Sequence, residues 1–225
     1  ICVNHPDLAG RVLPGVDYVD ADELPQDDLG HGCGVAGIIA ANMNNAAGIA
    51  GIAPNTQIFP LRVLDANGIG AYSDVAAAIV YAADHGASII NLSLGGVNAS
   101  QTLENAVNYA VSRNVLIIAA AGNTGDALPL YPARYANVVA VGSVDADGQP
   151  SVFSNQGVDL WSPGSNILTT QIDGDYALMT GTSFAAPQVT GVAALEIARG
   201  KTLLLNGGIV AAQTESLVVI DDPTP

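Results

Sequence analysis

The sequence predicts a single-domain α/β protein with three layers, built on a doubly wound, mainly parallel sheet. Apolar, β-branched runs alternate with alanine-rich helical stretches through the middle of the 225-residue chain. The run 115–121 (VLIIAAA) is apolar at every position, as expected for a central parallel strand that helices cover on both faces. The whole chain, 1–225, is therefore treated as one domain.

The first predicted strand–helix unit runs from Gln57 to Gly86. The run 57–63 predicts a strand, and Ser73 with Asp74 then predicts a helix start, because both side chains cap free amides or favour the positive end of the helix dipole. Gly86 is expected to end this helix. Its buried stripe is predicted to consist of Val75, Ile79 and Ala82.

The same unit then repeats along the chain. The run 87–94 predicts a strand, and 101–113 predicts a helix that buries Leu103, Val107 and Ala110. Strands are also predicted at 115–121 and 138–144. The segment 183–199 has small residues on nearly every side, which predicts a helix surrounded by protein.

Charge and hydropathy exclude several classes of partner. The formal net charge is -15, with six Lys and Arg in total, so nucleic acid and anionic lipid would be repelled. No apolar stretch reaches the roughly 18 residues that a bilayer span requires. We therefore expect a soluble protein with no nucleic-acid or membrane partner.

Three separated segments carry residues suited to nucleophilic catalysis by serine, which needs a base and donors for the oxyanion. Segment 181–187 (GTSFAAP) places Ser183 at a turn into a helix, where free amides favour negative charge. Segment 31–37 (HGCGVAG) places His31 at the start of a small-residue helix, against which another helix could pack. Segment 119–123 (AAAGN) ends a central strand in Asn123, whose amide can donate to an oxyanion. Each segment alone is also compatible with ordinary structure: a helix cap, a core histidine and a turn.

Together and in this order, the three segments resemble the subtilase family of serine peptidases, whose signatures read HGTxVAG, a strand ending GN, and GTSxAxP. The resemblance runs from about Ile1 to Arg199 and is strongest to thermitase-like members. It implies a subtilisin-like fold and a serine endopeptidase in which His31 is the general base and Ser183 attacks the peptide carbonyl. Asn123 and the Ser183 backbone amide would stabilise the oxyanion. The family also implies a secreted, extracellular protein, and we expect a monomer.

The resemblance further implies how an extended polypeptide substrate binds. It would pair with 93–96 on one side and 68–70 on the other, with 120–122 at the primary specificity pocket and Tyr72 in a more distal pocket. The implied substrate-binding residues are Ser93, Leu94, Gly95, Gly68, Ile69, Gly70, Tyr72, Ala120 and Gly122. Small residues around the primary pocket, with no acid there to pair Lys or Arg, favour apolar P1 side chains.

The family's third triad member is an aspartate in a strand that ends immediately before the position of Ile1. Without that strand, the two strands on either side of it would have unpaired backbone N–H and C=O groups in the core. Another segment must therefore fill this position in the sheet. Further N-terminal residues could supply it, or the run 216–221 (SLVVID), which ends in Asp221, could supply it as in a circular permutant. A third alternative is a weakened enzyme without the aspartate. Residues 200–225 are otherwise unassigned.

Cys2 and Cys33 flank the expected active site by the same resemblance. The pair is compatible with a disulfide or with two buried free thiols.

Calcium is the expected cofactor, at one or two structural sites. A short acidic loop resembles a calcium loop of thermitase-like members, with ligands Asp17, Asp20, Asp22, the carbonyl of Leu24, and Gln26. A second set resembles the family's tight site, with Asp7, the Asn45 side chain and the carbonyls of Asn42, Ala47 and Ile49. The alternative for the acidic loop is a solvated surface without a metal.

Two other functions remain open. A catalytically weakened subtilase could bind peptides as a scaffold, and a peptide cyclase or transpeptidase could use the same acyl-enzyme. A lipase-type hydrolase is disfavoured, because its serine elbow precedes its histidine in the chain, whereas His31 precedes Ser183 here.

Overall fold

The computed structural model describes residues 1–20, 24–201, 203–205, 208–210 and 217–221. The helices are α1 (His31–Ala40), α2 (Tyr72–Asp84), α3 (Gln101–Ser112) and α4 (Thr182–Ala198). The strands are β1 (Val16–Asp17), β2 (Ile58–Arg62), β3 (Ile89–Ser93), β4 (Leu116–Ala120), β5 (Val139–Val144), β6 (Leu160–Pro163), β7 (Ile167–Thr170), β8 (Tyr176–Met179), β9 (Leu203–Leu205), β10 (Gly208–Val210) and β11 (Leu217–Asp221). Two 3₁₀ turns lie at Pro6–Leu8 and Ile172–Gly174.

A seven-stranded sheet forms the middle layer. Its strands lie in the order β1-β2-β11-β3-β4-β5-β6, and each neighbouring pair is parallel. The four strands predicted from the middle of the sequence correspond to β2, β3, β4 and β5. Both faces of β3 and β4 are buried throughout. The predicted α/β class and parallel sheet are confirmed.

The helices cover the sheet from two sides. One side chain cluster joins α2 and α3 to one face of the sheet, for example Ile79 and Val107 with Ile90. A second cluster joins α1 and α4 to the opposite face, for example Ile39 with Ile89. Successive residues of one strand alternate between these two clusters. The result is the three-layer arrangement that the sequence predicts.

An interior position of the sheet is filled from the C-terminal part of the chain. Strand β11 lies between β2 and β3, with Leu217 paired to Ile58 and Ile89. Of the alternatives left open for this gap, the strand in the run 216–221 is present, at Leu217–Asp221. Ser216 lies outside the described residues.

α2 begins next to the predicted Ser73–Asp74 pair and has Asp74 in its first turn, as expected, but the predicted side-chain cap is wrong. The helix begins at Tyr72 after Ala71, and no side chain accepts a capping hydrogen bond there. Ser73 lies inside the first turn, and its hydroxyl bonds Asp74 Oδ1 at 3.1 Å. The buried stripe predicted for this helix is confirmed, since Val75, Ile79 and Ala82 are all buried.

The small residues of α1 allow both the helix α4 and the β7–β8 strand pair to pack closely against it. α1 packs on α4, as the sequence predicts, but it also packs on β7. A Cβ on Gly34 would lie 2.6 Å from Met179 Sδ, and one on Gly37 would lie 2.2 Å from Thr170 Oγ1. These two glycines therefore let the β7–β8 pair approach the helix backbone.

The α4 helix is buried at its N-terminal end but is not surrounded on every side as predicted. Residues 182–187 are buried, whereas Val192 is 53% exposed. No helix in the described part of the chain is long and apolar enough to cross a membrane.

Candidate active site

Ser183 lies in the first turn of α4, at the carboxyl edge of the sheet. Gly181 precedes the helix with φ of 152°, a conformation that favours glycine. The Ser183 side chain is buried, and its Oγ donates to the carbonyl of Ser93 at 3.4 Å. In return, Ser93 Oγ donates to the Ser183 carbonyl at 2.8 Å. The end of β3 and the start of α4 are thus joined directly at the serine.

Asn123 faces the same turn from the loop after β4. Its Oδ1 accepts two hydrogen bonds of 2.9 Å, from the backbone N–H and the hydroxyl of Thr182. The Thr182 hydroxyl also accepts from the Gly122 N–H at 3.0 Å. Because Thr182 holds the Oδ1 atom of Asn123, the Nδ2 atom of the same amide points away from Thr182. A Cβ on Gly181 would lie 3.2 Å from that Nδ2.

His31 is the first residue of α1 and is 9% exposed. Its ring lies 5.1 Å, centroid to centroid, from the ring of Phe184, the residue after the serine. Asp27 fixes the start of this helix, because its carboxylate accepts the N–H groups of Gly30 at 2.7 Å and Cys33 at 2.8 Å. The histidine and the serine therefore open two helices that pack on the same face of the sheet.

A cavity of about 260 Å³ opens beside Ser183. It brings together four of the predicted substrate-binding residues, namely Leu94, Gly95, Ala120 and Gly122. The other residues that line it are Gly96, Val97, Asn123, Thr124, Leu130, Thr182 and Ser183. None of these lining residues, all in the described part of the chain, carries a charge.

Leu130 narrows this cavity. Its Cδ1 lies 2.8 Å from where a Cβ on Gly122 would stand, and its Cβ lies 2.9 Å from the corresponding point on Gly95. The leucine thus sits between the two glycine-lined walls. Sequence reasoning missed Leu130, because it belongs to no motif and reaches the cavity only through the fold.

The other predicted rim lies in the segment before α2. Gly68 and Gly70 belong to a loop folded on Asp65, whose Oδ1 accepts the Ile69 N–H at 2.9 Å. Ile69 is 70% exposed. Tyr72 reaches across to the opposite rim, where a Cβ on Gly96 would lie 2.2 Å from its hydroxyl oxygen. Ser93, at the start of the 93–96 rim, hydrogen-bonds Ser183. The contact between Tyr72 and Gly96 places the two predicted rims next to each other.

Cys2 and Cys33 form a disulfide, with their Cα atoms 5.2 Å apart. Of the two alternatives left open by the sequence, the structure contains the disulfide. It ties the first residues of the chain to α1, two positions after His31.

The tight calcium set is gathered around one buried carboxylate. Asp7 is fully buried; its Oδ1 accepts from Asn45 Nδ2 at 2.6 Å, and its Oδ2 accepts from the Ile49 N–H and the Tyr176 hydroxyl at 2.9 Å each. The Asn42 N–H donates to the Asp7 carbonyl at 2.7 Å, and the Ala47 N–H donates to Asn45 Oδ1 at 3.3 Å.

Electrostatics in this cluster follow from its hydrogen bonds. Burial opposes ionisation of Asp7, but the hydrogen bonds from Asn45, Ile49 and Tyr176 outweigh it and lower the pKa of the carboxyl. Burial and the Asp7 carboxylate raise the pKa of Tyr176 to about 12. An anionic carboxylate in a loop rich in amide and carbonyl oxygens suits a hard cation, provided the Asn45 amide turns its oxygen inward.

The second calcium set is arranged differently. The Arg62 guanidinium lies 2.7 Å from Asp17 and from Asp20, and 2.9 Å from Asp28. Leu24 is 72% exposed, and the Gln26 N–H donates to the Leu24 carbonyl. Asp22 lies outside the described residues. Arg62, another residue missed by sequence reasoning, thus supplies positive charge where a cation was expected. The described residues contain no cluster of three or more His, Cys, Asp or Glu side chains that could hold a metal.

A parallel α/β sheet that brings a helix-terminal serine, a helix-initial histidine and an asparagine amide to one edge is an architecture of serine hydrolases. Within that class the chain belongs to the subtilase family, whose model (Peptidase_S8, Subtilase family) matches residues 1–205.

Curated relatives and a solved structure agree with this assignment. The chain is 53% identical over 199 residues to "Thermophilic serine proteinase" of Bacillus sp. (strain AK1), covering 88% of this chain and 50% of that protein. It is 49% identical over 201 residues to "Thermitase" of Thermoactinomyces vulgaris, covering 88% and 72%. The crystal structure of a cold adapted subtilisin-like serine proteinase superposes with a TM-score of 0.82 at 40% identity, covering 88% of this chain and 72% of that one. The chain thus spans from half to about three quarters of these relatives.

Proposed function

We propose that this protein is a serine endopeptidase that hydrolyses peptide bonds through an acyl-enzyme on Ser183. His31 acts as the general base, and Asn123 with the Ser183 backbone N–H forms the oxyanion hole. The observation that carries the proposal is that Ser183 and Asn123 line one cavity, while the His31 ring lies against Phe184, the residue after the serine. Membership of the subtilase family supports the same reaction.

The proposed reaction begins with attack by Ser183 Oγ on the substrate carbonyl carbon while His31 takes the hydroxyl proton. The bond of Oγ to the Ser93 carbonyl is 3.4 Å long, so it is weak and releases the hydroxyl at little cost. The oxyanion then accepts from Asn123 Nδ2 and the N–H at the start of α4, where the helix dipole also favours negative charge. His31 returns the proton to the leaving amine, and water hydrolyses the acyl-enzyme by the same steps.

The uncharged cavity supports a preference for apolar P1 side chains. A Lys or Arg in this cavity would lose its hydration without gaining a carboxylate partner. Leu130 shortens the cavity, which favours residues smaller than the large aromatic ones. The substrate is proposed to be an extended polypeptide lying between the rims formed by 93–96 and 68–70.

Structural calcium and secretion complete the proposal. Calcium would be held by the Asp7 carboxylate, the Asn45 side chain and backbone oxygens of 42–49, where it would neutralise a buried charge and order the loop. At the Asp17 set, Arg62 already compensates the carboxylates, so any calcium there would bind more weakly. The Cys2–Cys33 disulfide supports an oxidising, extracellular location. We propose that the enzyme acts as a monomer.

The deciding experiment is labelling of the 225-residue protein with a fluorophosphonate, followed by peptide mapping, with Ser183→Ala as the control. Labelling at Ser183 together with cleavage of a peptide amide substrate supports an endopeptidase. Labelling at Ser183 with transfer of the acyl group of a peptide substrate to an added amine, and little hydrolysis, would point to a transpeptidase instead. Tight peptide binding without labelling, hydrolysis or acyl transfer would leave only the scaffold.

A further inference from the structure

Strand β11 ends at the carboxyl edge of the sheet, beside the proposed nucleophile. Asp221 is paired in register with Ser93, and adjacent parallel strands lie about 4.8 Å apart. Ser93 in turn bonds Ser183 through both its carbonyl and its hydroxyl. Asp221, the last residue of β11, is therefore the cross-strand neighbour of Ser93, which hydrogen-bonds the proposed nucleophile Ser183.

The register also defines the face on which Asp221 lies. Residues paired in a parallel sheet share a face, and faces alternate along a strand. Asp221 thus shares a face with Ser93 and with Asn91, whose Oδ1 accepts from Thr190 of α4 at 2.9 Å. Ile89, two residues before Asn91, packs in the cluster of α1 and α4. Asp221 therefore lies on the face that carries both catalytic helices.

The helix that begins with His31 lies directly over this strand, because α1 packs on β11. The described carboxylates just before α1 in the chain have other partners: Asp27 accepts the N–H groups at the start of α1, and Asp28 pairs with Arg62. α4 contributes Glu196, paired with Lys201 and Arg199, and the Pro6–Leu8 turn contributes Asp7, held by Asn45 and Tyr176. β7, which also packs on α1, carries no titratable side chain.

We propose that Asp221, delivered by the C-terminal strand, is the carboxylate that positions His31 and stabilises its protonated form during the reaction proposed above. A carboxylate in this role fixes the tautomer and orientation of the imidazole without itself gaining the proton. The third member of the catalytic triad would then come from the C-terminal part of the chain, whereas His31 comes from the N-terminal part.

The test compares Asp221→Asn with Asp222→Asn, the neighbouring acid in the sequence. Loss of the aspartate of a Ser-His-Asp triad lowers kcat by about 10⁴-fold, so we expect a loss of that order for D221N and none for D222N, with KM little changed. Removing a neighbouring negative charge also lowers the pKa of an imidazole. The acid limb of the kcat/KM profile should therefore move to lower pH in D221N, and Asp221→Glu should recover part of the activity.

Full activity in D221N, or a loss confined to D222N, would overturn the assignment while leaving the endopeptidase proposal intact. A wild-type chain that neither cleaves peptides nor labels at Ser183 would overturn both. Amide hydrogen exchange gives a measurement that does not depend on how the variants fold. Protection of the amides of 217–220 comparable to that of β3 is expected, and exchange as fast as in an unfolded chain would contradict the strand placement.

Discussion

The backbone N–H and the hydroxyl of one residue, Thr182, orient the side chain of the proposed oxyanion donor Asn123. An asparagine amide offers an acceptor on one side and two donors on the other. Thr182 occupies the acceptor through two hydrogen bonds, so the donors are preorganised before substrate arrives. Preorganised donors contribute most when they need no reorientation in the transition state.

Asn123→Ala should therefore lower kcat by about 10²- to 10³-fold with little change in KM, because the lost donor acts on the oxyanion. Thr182→Val should lower kcat by a smaller factor, since it removes one anchor of the amide. In the double variant the effect of T182V should disappear, because no amide is left to orient. The measurement is steady-state kinetics on a peptide amide.

Thr180→Val is the matched control, because the Thr180 hydroxyl accepts from the Asn166 N–H at 2.9 Å and not from the groups that hold Asn123. An additive effect of T182V in the N123A background would contradict the orienting role.

We expect the side chain of Leu130 to set the length of the cavity beside Ser183. Leu130→Gly should lengthen the cavity and raise kcat/KM for Phe over Ala at P1 by about tenfold or more, since each added methylene contact contributes about 1–3 kcal/mol. Leu128→Ala changes a leucine that is 49% exposed and does not line the cavity, so it serves as the control. An unchanged ratio of Phe to Ala hydrolysis in L130G would show that another residue limits the cavity.

The order of helices and strands could be predicted because each element carries its own periodic pattern. β4 is apolar at all positions and is buried at all of them, and the stripe of α2 faces the core as expected. Helix boundaries were less predictable. Serine is a common N-cap residue, but α2 begins at Tyr72, so Ser73 lies inside the helix and does not cap it. Leu130 and Arg62 escaped prediction for a related reason: their contacts are distant in sequence, and no local pattern encodes them.

The disulfide joins the N-terminal segment, which belongs to no strand of the sheet, to α1. Cys2 and Cys33 are 31 residues apart in sequence, and closing a loop of that length contributes about 3–4 kcal/mol through the entropy of the unfolded chain. Reduction of the wild type, or the double substitution Cys2→Ala with Cys33→Ala, should lower the free energy of unfolding by that amount in guanidinium denaturation. Reductant should leave the double variant unchanged. Two titratable thiols in the unreduced, denatured wild type would rule out the bond.

Across the whole molecule, the formal net charge of -15 means that acidic side chains far outnumber basic ones. Mutual repulsion between the acidic side chains opposes the compact state, and it weakens as salt shortens the screening length from about 10 Å at 0.1 M to about 3 Å at 1 M. A bound divalent cation acts differently, because it neutralises one site at low concentration. The two effects can therefore be separated by experiment.

Calcium should raise the melting temperature of the wild type relative to EDTA at constant ionic strength. Binding that favours the native state contributes about 4 kcal/mol when free calcium is a thousandfold above Kd, and each kcal/mol shifts the melting temperature of a chain this size by about 2–4 °C. Asp7→Asn removes the buried carboxylate of the proposed site, so the difference between calcium and EDTA should shrink to near zero. Monovalent salt should stabilise D7N and wild type alike, because screening acts on the whole surface. A calcium response that survives in D7N but is lost in Asp17→Asn would move the metal to the loop beside Arg62.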